Sequence, residues 1–346
     1  MTQPLITANV ILELQPGIPQ PPLTLGQMYK SACASDDQTI VHWREIWLNN
    51  MRKNKAKFGS FAENGVGTIF GKMDGRPCII AGAGPSLALN IGKLKNRPKT
   101  MGLVSCLHSF HAMEDADACP DYYVTLDAGP ITVEEVTEGG TKTADEYWAI
   151  TKDRTLVAYI GTHPELLEKW QGKVVFFNAP IPDNVLREEI EKIEPYYQWI
   201  SNGGNVLGAC MYLAKGWLGS PTTIFIGADF SFSNRDKRRF HAWDSKYDAS
   251  IGNTLRTSDI YGNSVHTWPS YWNFKLWFDY VTMTLPGFYI NASESGIFGA
   301  YKEGNIDSVK QFTIDKVFEM FSLHEQLRYQ AENPSVHSRL SDIILV

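Results

Sequence analysis

Six short apolar runs constrain this chain more than any other feature. CIIAGAG (78–84), MGLVSC (101–106), YYVTL (122–126), TLVAYIG (155–161), KVVFFNA (173–179) and TTIFIGADF (222–230) are rich in Val, Ile, Phe and Tyr. Within each run apolar residues fall on both alternating faces, the pattern of strands buried on both sides. Helix-length segments separate the runs and imply βαβ crossovers. Together these features predict an α/β fold, a Rossmann-like, doubly wound, mostly parallel sheet with N- and C-terminal helical extensions.

The flanks differ in texture from this core, which spans about residues 71–300. Residues 1–24 carry five prolines and almost no charge, as expected of an extended arm. In the 25–70 region, residues 36–57 place Ile40, Trp43, Ile46, Trp47 and Met51 at helical spacing, which predicts an amphipathic helix. Residues 301–346 form a C-terminal extension with a predicted helix over 307–330 and a short apolar-ended tail. The arm and tail suit assembly, so a homo-oligomer is one expectation.

Composition narrows the class. Of 346 residues, 43 % are hydrophobic and 20 % charged, and no apolar run reaches the ~18 residues of a membrane span. The net charge of −6 argues against a broad basic surface coating nucleic acid, so an anionic partner must be met locally. Five cysteines without a CxxC pair read as reduced thiols, and the N-terminus lacks a basic n-region and apolar h-region; both predict a cytoplasmic protein.

Several segments are candidates for chemistry. After the first run, Gly82, Gly84, Pro85 and Ser86 open a helix: the glycines permit close backbone approach, Pro85 is preset for a first helical turn, and helix-start amides attract phosphate. Leu87 stands where the dinucleotide fingerprint needs glycine, and there is no P-loop GK[ST], so the alternative is an ordinary strand-to-helix turn. Ser201, Asn202, Gly203 and Gly204 start a second helix and offer a nucleotide further hydroxyl and amide donors, or simply a cap. Asp127 and Asp229 end two strands where ligands of open α/β sheets bind, and two such carboxylates are a weak Mg²⁺ signal.

Arg235, Lys237, Arg238 and Arg239, followed by aromatics, suit contact with phosphate or a polyanionic acceptor, or a solvated loop. Of the eight histidines, His241 and His266 lie closest in sequence to this edge, and either has the pKa range of a general base. A lone histidine is more often structural.

In combination, GRPCIIAGAGPSL (75–87), PDYYVTLDAG (120–129), the 201–232 segment ending in GADFSF, and INASESGIFGA (290–300) resemble the family of 6-hydroxymethylpterin diphosphokinase MptE-like proteins, which includes the motility accessory factors. The same order is similar to bacterial CMP-sialic-acid-dependent sialyltransferases. That likeness implies nucleotide contacts at Gly82, Gly84, Ser86, Ser201, Gly203 and Gly204, and His266 as base on an acceptor hydroxyl. Those transferases place an asparagine after the second strand, where this chain has Ser105-Cys106-Leu107-His108. The archaeal pterin kinases pair two nearby aspartates for metal, whereas here the strand reads Thr-Leu-Asp-Ala-Gly.

The resulting expectation is a nucleotide-sugar-dependent, sialyltransferase-like enzyme that transfers a sugar to an acceptor hydroxyl, with a CMP-sugar donor favoured. Such a donor needs no cofactor, whereas a nucleoside diphosphate donor would call for Mg²⁺ at Asp127 or Asp229. Two alternatives stand beside it. One is a Mg²⁺-dependent diphosphokinase acting on a hydroxymethyl heterocycle such as a pterin; the other is a non-catalytic nucleotide-binding or assembly protein.

Overall fold

The computed structural model describes residues 25–181, 183–195, 198–232, 255–301 and 304–332. A long helix, α1 (Leu25–Phe58), precedes the sheet-forming sequence. The alternating elements follow as β1 (Cys78–Ala81), α2 (Leu87–Asn90), β2 (Gly102–Cys106), α3 (Phe110–Asp115), β3 (Tyr122–Thr125), α4 (Ile131–Thr137), α5 (Ala144–Ile150), β4 (Thr155–Tyr159), α6 (Pro164–Lys169), β5 (Lys173–Phe177), α7 (Asn184–Ile193), α8 (Val206–Tyr212) and β6 (Thr222–Ile226). After them come the hairpin β7 (Leu255–Ser258) and β8 (Ser264–Thr267), α9 (Pro269–Thr284), β9 (Phe288–Asn291), the small pair β10 (Ala300–Tyr301) and β11 (Gly304–Asn305), β12 (Val309–Gln311) and α10 (Ile314–Glu332).

Eight strands form one sheet in the order β12-β9-β6-β1-β2-β3-β4-β5, every neighbouring pair parallel. The chain runs outward from β1 to β5, then returns to the other side of β1 and runs outward again through β6, β9 and β12. This is the doubly wound arrangement. Its central strands explain the apolar runs, since every residue of β1 and β2 and all but the first of β6 are buried. A strand covered on both faces has no solvent side on which to place polar residues.

Three elements depart from expectation. The N-terminal helix begins at Leu25, well before residue 36. Its inward face takes Ile40, Leu48 and Met51, while Ile46 lies outside at 39 % exposure; the buried positions also include the polar Asn50 and Asn54. The C-terminal extension is not helical from 307: residues 309–311 first form the sheet's eighth strand, pairing with β9, and the helix starts at Ile314. With three residues, one of them Lys310, β12 is too short and polar to stand out as a strand, and a charge suits an edge.

The two asparagines tie α1 to the carboxyl ends of the strands. Asn50 Nδ2 donates to the carbonyls of Ala128 (2.9 Å) and Gly161 (3.1 Å). One turn later, Asn54 Nδ2 donates to Ile160 and Thr162 (both 2.9 Å). These carbonyls lie just past β3 and β4, where the ladder has ended and buried acceptors would lack partners. The asparagines therefore hold Trp43 and Trp47, lower-numbered on the same helix, beside the edge where ligands of such sheets bind.

Candidate ligand site at the switch point

Connections leave β1 and β6 in opposite directions although the two strands are neighbours, so a crevice opens at their carboxyl ends. Two turns meet there. Gly82 N–H donates to Ile226 O and Gly84 N–H to Gly227 O, both at 2.9 Å. The approach leaves no room for side chains: a Cβ on Gly82 would lie 2.5 Å from Gly227 O, and one on Gly84 would lie 2.1 Å from Asp229 Oδ2. Gly227 itself has φ +60°, in the left-handed region that glycine adopts without strain.

Asp229 is buried in this junction. Its Oδ2 accepts from the Ser86 hydroxyl at 2.7 Å and the Ser86 amide at 3.3 Å. The 291–297 loop wraps its other side: Ile297 N–H donates to Asp229 O (2.8 Å), and Ser293 Oγ accepts from the Ala228 amide (3.0 Å). Burial pushes the Asp229 carboxyl up to about 7, and the Ser86 and Ser295 hydrogen bonds only partly oppose that rise. Ser86 thus faces Asp229, and Asp229 forms the floor of the site. The INASESG loop, whose sequence signal is its family resemblance alone, buttresses that floor.

The second glycine turn lies across the crevice. Gly203 and Gly204 both have positive φ, +58° and +78°. Gly204 N–H donates to Asn202 Oδ1 (2.8 Å), and Asn205 Oδ1 caps α8 by accepting from Gly208 N–H (2.9 Å). A Cβ on Gly203 would lie 2.2 Å from the Trp277 ring, so glycine is what lets that indole pack against the turn.

Two cavities share this turn. One, of about 200 Å³, is lined by Ser201, Asn202, Gly203, Gly204 and Asp127 together with the rings of Trp43, Trp47, Tyr159 and Trp277. The other, of about 250 Å³, is lined by Gly82, Gly84, Pro85, Gly204, Asp229 and His108, with Tyr271 and Phe274 at its side. Gly204 lines both, so the cavities adjoin. Ser86 lines neither, and Asp127 and Asp229 line different ones. Among the described residues, the group able to hold a cation is instead His108, Asp127 and Glu135, whose ligand atoms lie within 4.8 Å of one another.

His266 sits on β8 beside this region. Its backbone exchanges hydrogen bonds with Phe232 (2.8 and 2.9 Å), and its half-buried ring stacks on the Phe232 ring at a centroid distance of 6.2 Å. It flanks the second cavity, whose lining ends at Ser231 on that side, but is not itself in the wall. His241, Arg235, Lys237, Arg238 and Arg239 lie outside the described residues.

Sequence reasoning missed four contributors. Trp43 and Trp47 were read only as a helix face. Trp277 comes from α9, and His108 was noted only as a departure from a pattern. None has a local motif; each reaches the crevice through tertiary packing.

The all-parallel sheet with a two-part crevice at its switch point defines an open, doubly wound α/β protein. A family model described as 6-hydroxymethylpterin diphosphokinase MptE-like matches residues 47–235, more than half of the chain, and the chain belongs to that family. No curated protein matches. Among solved structures, the MAf glycosyltransferase from Magnetospirillum magneticum AMB-1 is similar at 16 % identity and a TM-score of 0.49, over 73 % of this chain and 38 % of that one. This chain therefore spans well under half the length of that protein. No helix among the described residues is long and apolar enough to cross a membrane.

Proposed function

We propose that the chain is a nucleotide-sugar-dependent glycosyltransferase whose donor lies across both cavities, with a CMP-sugar favoured. The observation that carries this reading is the pair of adjoining cavities at the switch point. Each is smaller than the roughly 300–1,000 Å³ of a typical small-molecule site, and together they fall within it, as suits a ligand of two linked parts. The aromatic cavity offers rings for a planar base to stack on. The glycine turns let backbone approach a phosphate between the two parts.

In this mechanism the acceptor O–H attacks the anomeric carbon. The bond from that carbon to the phosphate oxygen breaks, and the nucleotide leaves with the electron pair. The acceptor proton passes to His266, with His241 the alternative base. Asp229 holds the floor in place, and Arg235, Lys237, Arg238 and Arg239 order the acceptor or the leaving nucleotide. The acceptor class is hydroxyl-bearing. With a CMP donor the leaving group is a monophosphate and departs without metal assistance.

The family's description favours a second reading, diphosphate transfer from ATP to a hydroxymethyl heterocycle, which requires Mg²⁺. Calorimetric titration with CMP, UDP, GDP and ATP, each with and without Mg²⁺, separates the two. Metal-independent CMP binding, weakened by Trp277→Ala, followed by turnover of a CMP-sugar that His266→Ala abolishes without loss of donor binding, supports the transferase. Preference for ATP with Mg²⁺ moves the diphosphokinase ahead. Binding of none leaves the non-catalytic reading.

A further inference from the structure

His108, Asp127 and Glu135 come from three separate elements: the loop after β2, the loop after β3, and α4. Their ligand atoms converge within 4.8 Å. Glu135 is fully buried, and its Oε1 lies 2.7 Å from His108 Nε2. Asp127 and His108 are half-buried, and each lines one of the two adjoining cavities. The cluster therefore has a closed side at Glu135 and an open side toward the crevice.

A carboxylate with no exposed surface must be paired or hydrogen-bonded, and His108 Nε2 meets Glu135 Oε1 at 2.7 Å here. A divalent ion among these three groups would neutralise both carboxylates at once. Ligands about 2.0–2.2 Å from a tetrahedral ion stand roughly 3.3 Å apart, so metal entry parts His108 and Glu135 from their 2.7 Å contact and draws in the wider spacings, none above 4.8 Å. Three protein ligands with one open position is the arrangement of a site that presents a metal to something else.

We propose that His108, Asp127 and Glu135 form a divalent transition-metal site, its open position facing the junction of the two cavities and holding a water oxygen. The imidazole nitrogen selects the ion. Zn²⁺ and its neighbours accept nitrogen readily, whereas Mg²⁺ prefers oxygen ligands and keeps its waters. The site differs from the Asp127 and Asp229 pairing expected from sequence, and it does not depend on which nucleotide binds.

The test uses the full chain with metal alone, so it is independent of any donor or turnover. Metal-stripped protein is dialysed against Zn²⁺, with and without millimolar Mg²⁺, and bound metal is counted by elemental analysis. The expected result is one Zn²⁺ per chain retained against Mg²⁺, with affinity lowered at least about tenfold in each of His108→Ala, Asp127→Asn and Glu135→Gln. Asp127→Asn is only half-buried and removes a ligand with little risk to folding; its circular dichroism should match wild type. Absence of stoichiometric Zn²⁺, or Zn²⁺ binding indifferent to His108→Ala and Asp127→Asn, overturns the proposal. Displacement by millimolar Mg²⁺ overturns the claim of nitrogen-based selection.

Discussion

The two ends of the central sheet both bury carboxylates and treat them differently. At the amino-terminal edge, Glu114 accepts from Arg154 Nε and Nη2 and from the Tyr123 hydroxyl, all at 2.7 Å. Its charge is matched by a guanidinium in two-pronged contact, and that pairing raises the Arg154 pKa in turn. At the carboxyl-terminal edge, the described partners of Asp229 are neutral donors on Ser86 and Ser295, and its pKa rises to about 7. One end neutralises its charge within the fold and acts as scaffold. The other meets its buried carboxyl with neutral donors alone, beside a crevice open to a ligand.

The sharpest way to break this contrast is at the scaffold end. Glu114→Ala strands the Arg154 guanidinium and should cost about 3–5 kcal/mol, read by denaturant unfolding. A loss well under that would mean the pair is not the closed unit described. Asp229→Asn should act in the opposite direction. Between the ordinary carboxyl value of 3.8 and about 7 the folded state holds a proton the unfolded state has lost, so stability falls as pH rises through that window. The substitution should therefore gain up to about 4 kcal/mol at pH 8 and almost nothing near pH 4. A pH-independent effect on the melting temperature would contradict it.

Gly84→Ala sharpens the comparison at backbone level. Its Cβ would press on Asp229 Oδ2 and on Gly227 O at 2.6 Å, and the expected cost is about 1–3 kcal/mol with loss of nucleotide binding. Next in size, Asn50→Ala removes donors to two buried carbonyls and should cost roughly 1–2 kcal/mol while loosening the aromatic cavity. Smallest of all, Lys169→Ala breaks an exposed pair with Glu165 and should change stability by at most about 0.5 kcal/mol, a baseline for the rest.

How much of this was legible beforehand follows from what makes a signal local. β1 to β6 stood out because burial on both faces forces runs of apolar residues. β9, four residues with an exposed Phe288, and the polar β12 were hidden because a strand takes its stability from neighbours as well as from its own sequence. At the site, Gly82, Gly84, Gly203 and Gly204 were legible as glycines at helix starts, and the structure puts them at close approaches or positive φ. Ser86 was read as a nucleotide contact, and its hydroxyl is directed to Asp229. His108 and Glu135 could not be paired from sequence. Twenty-seven residues separate them, and only the return of the chain through β3 brings α4 back over the end of β2.

The central claim, that the carboxyl-terminal edge is the ligand end of the sheet, is tested most directly by hydrogen exchange with and without saturating CMP and, separately, ATP with Mg²⁺. Protection confined to segments 82–86, 201–205 and 227–231, with the amino-terminal edge around Glu114 and Tyr123 unchanged, is the predicted result. Protection elsewhere, or none with any nucleotide, would contradict it.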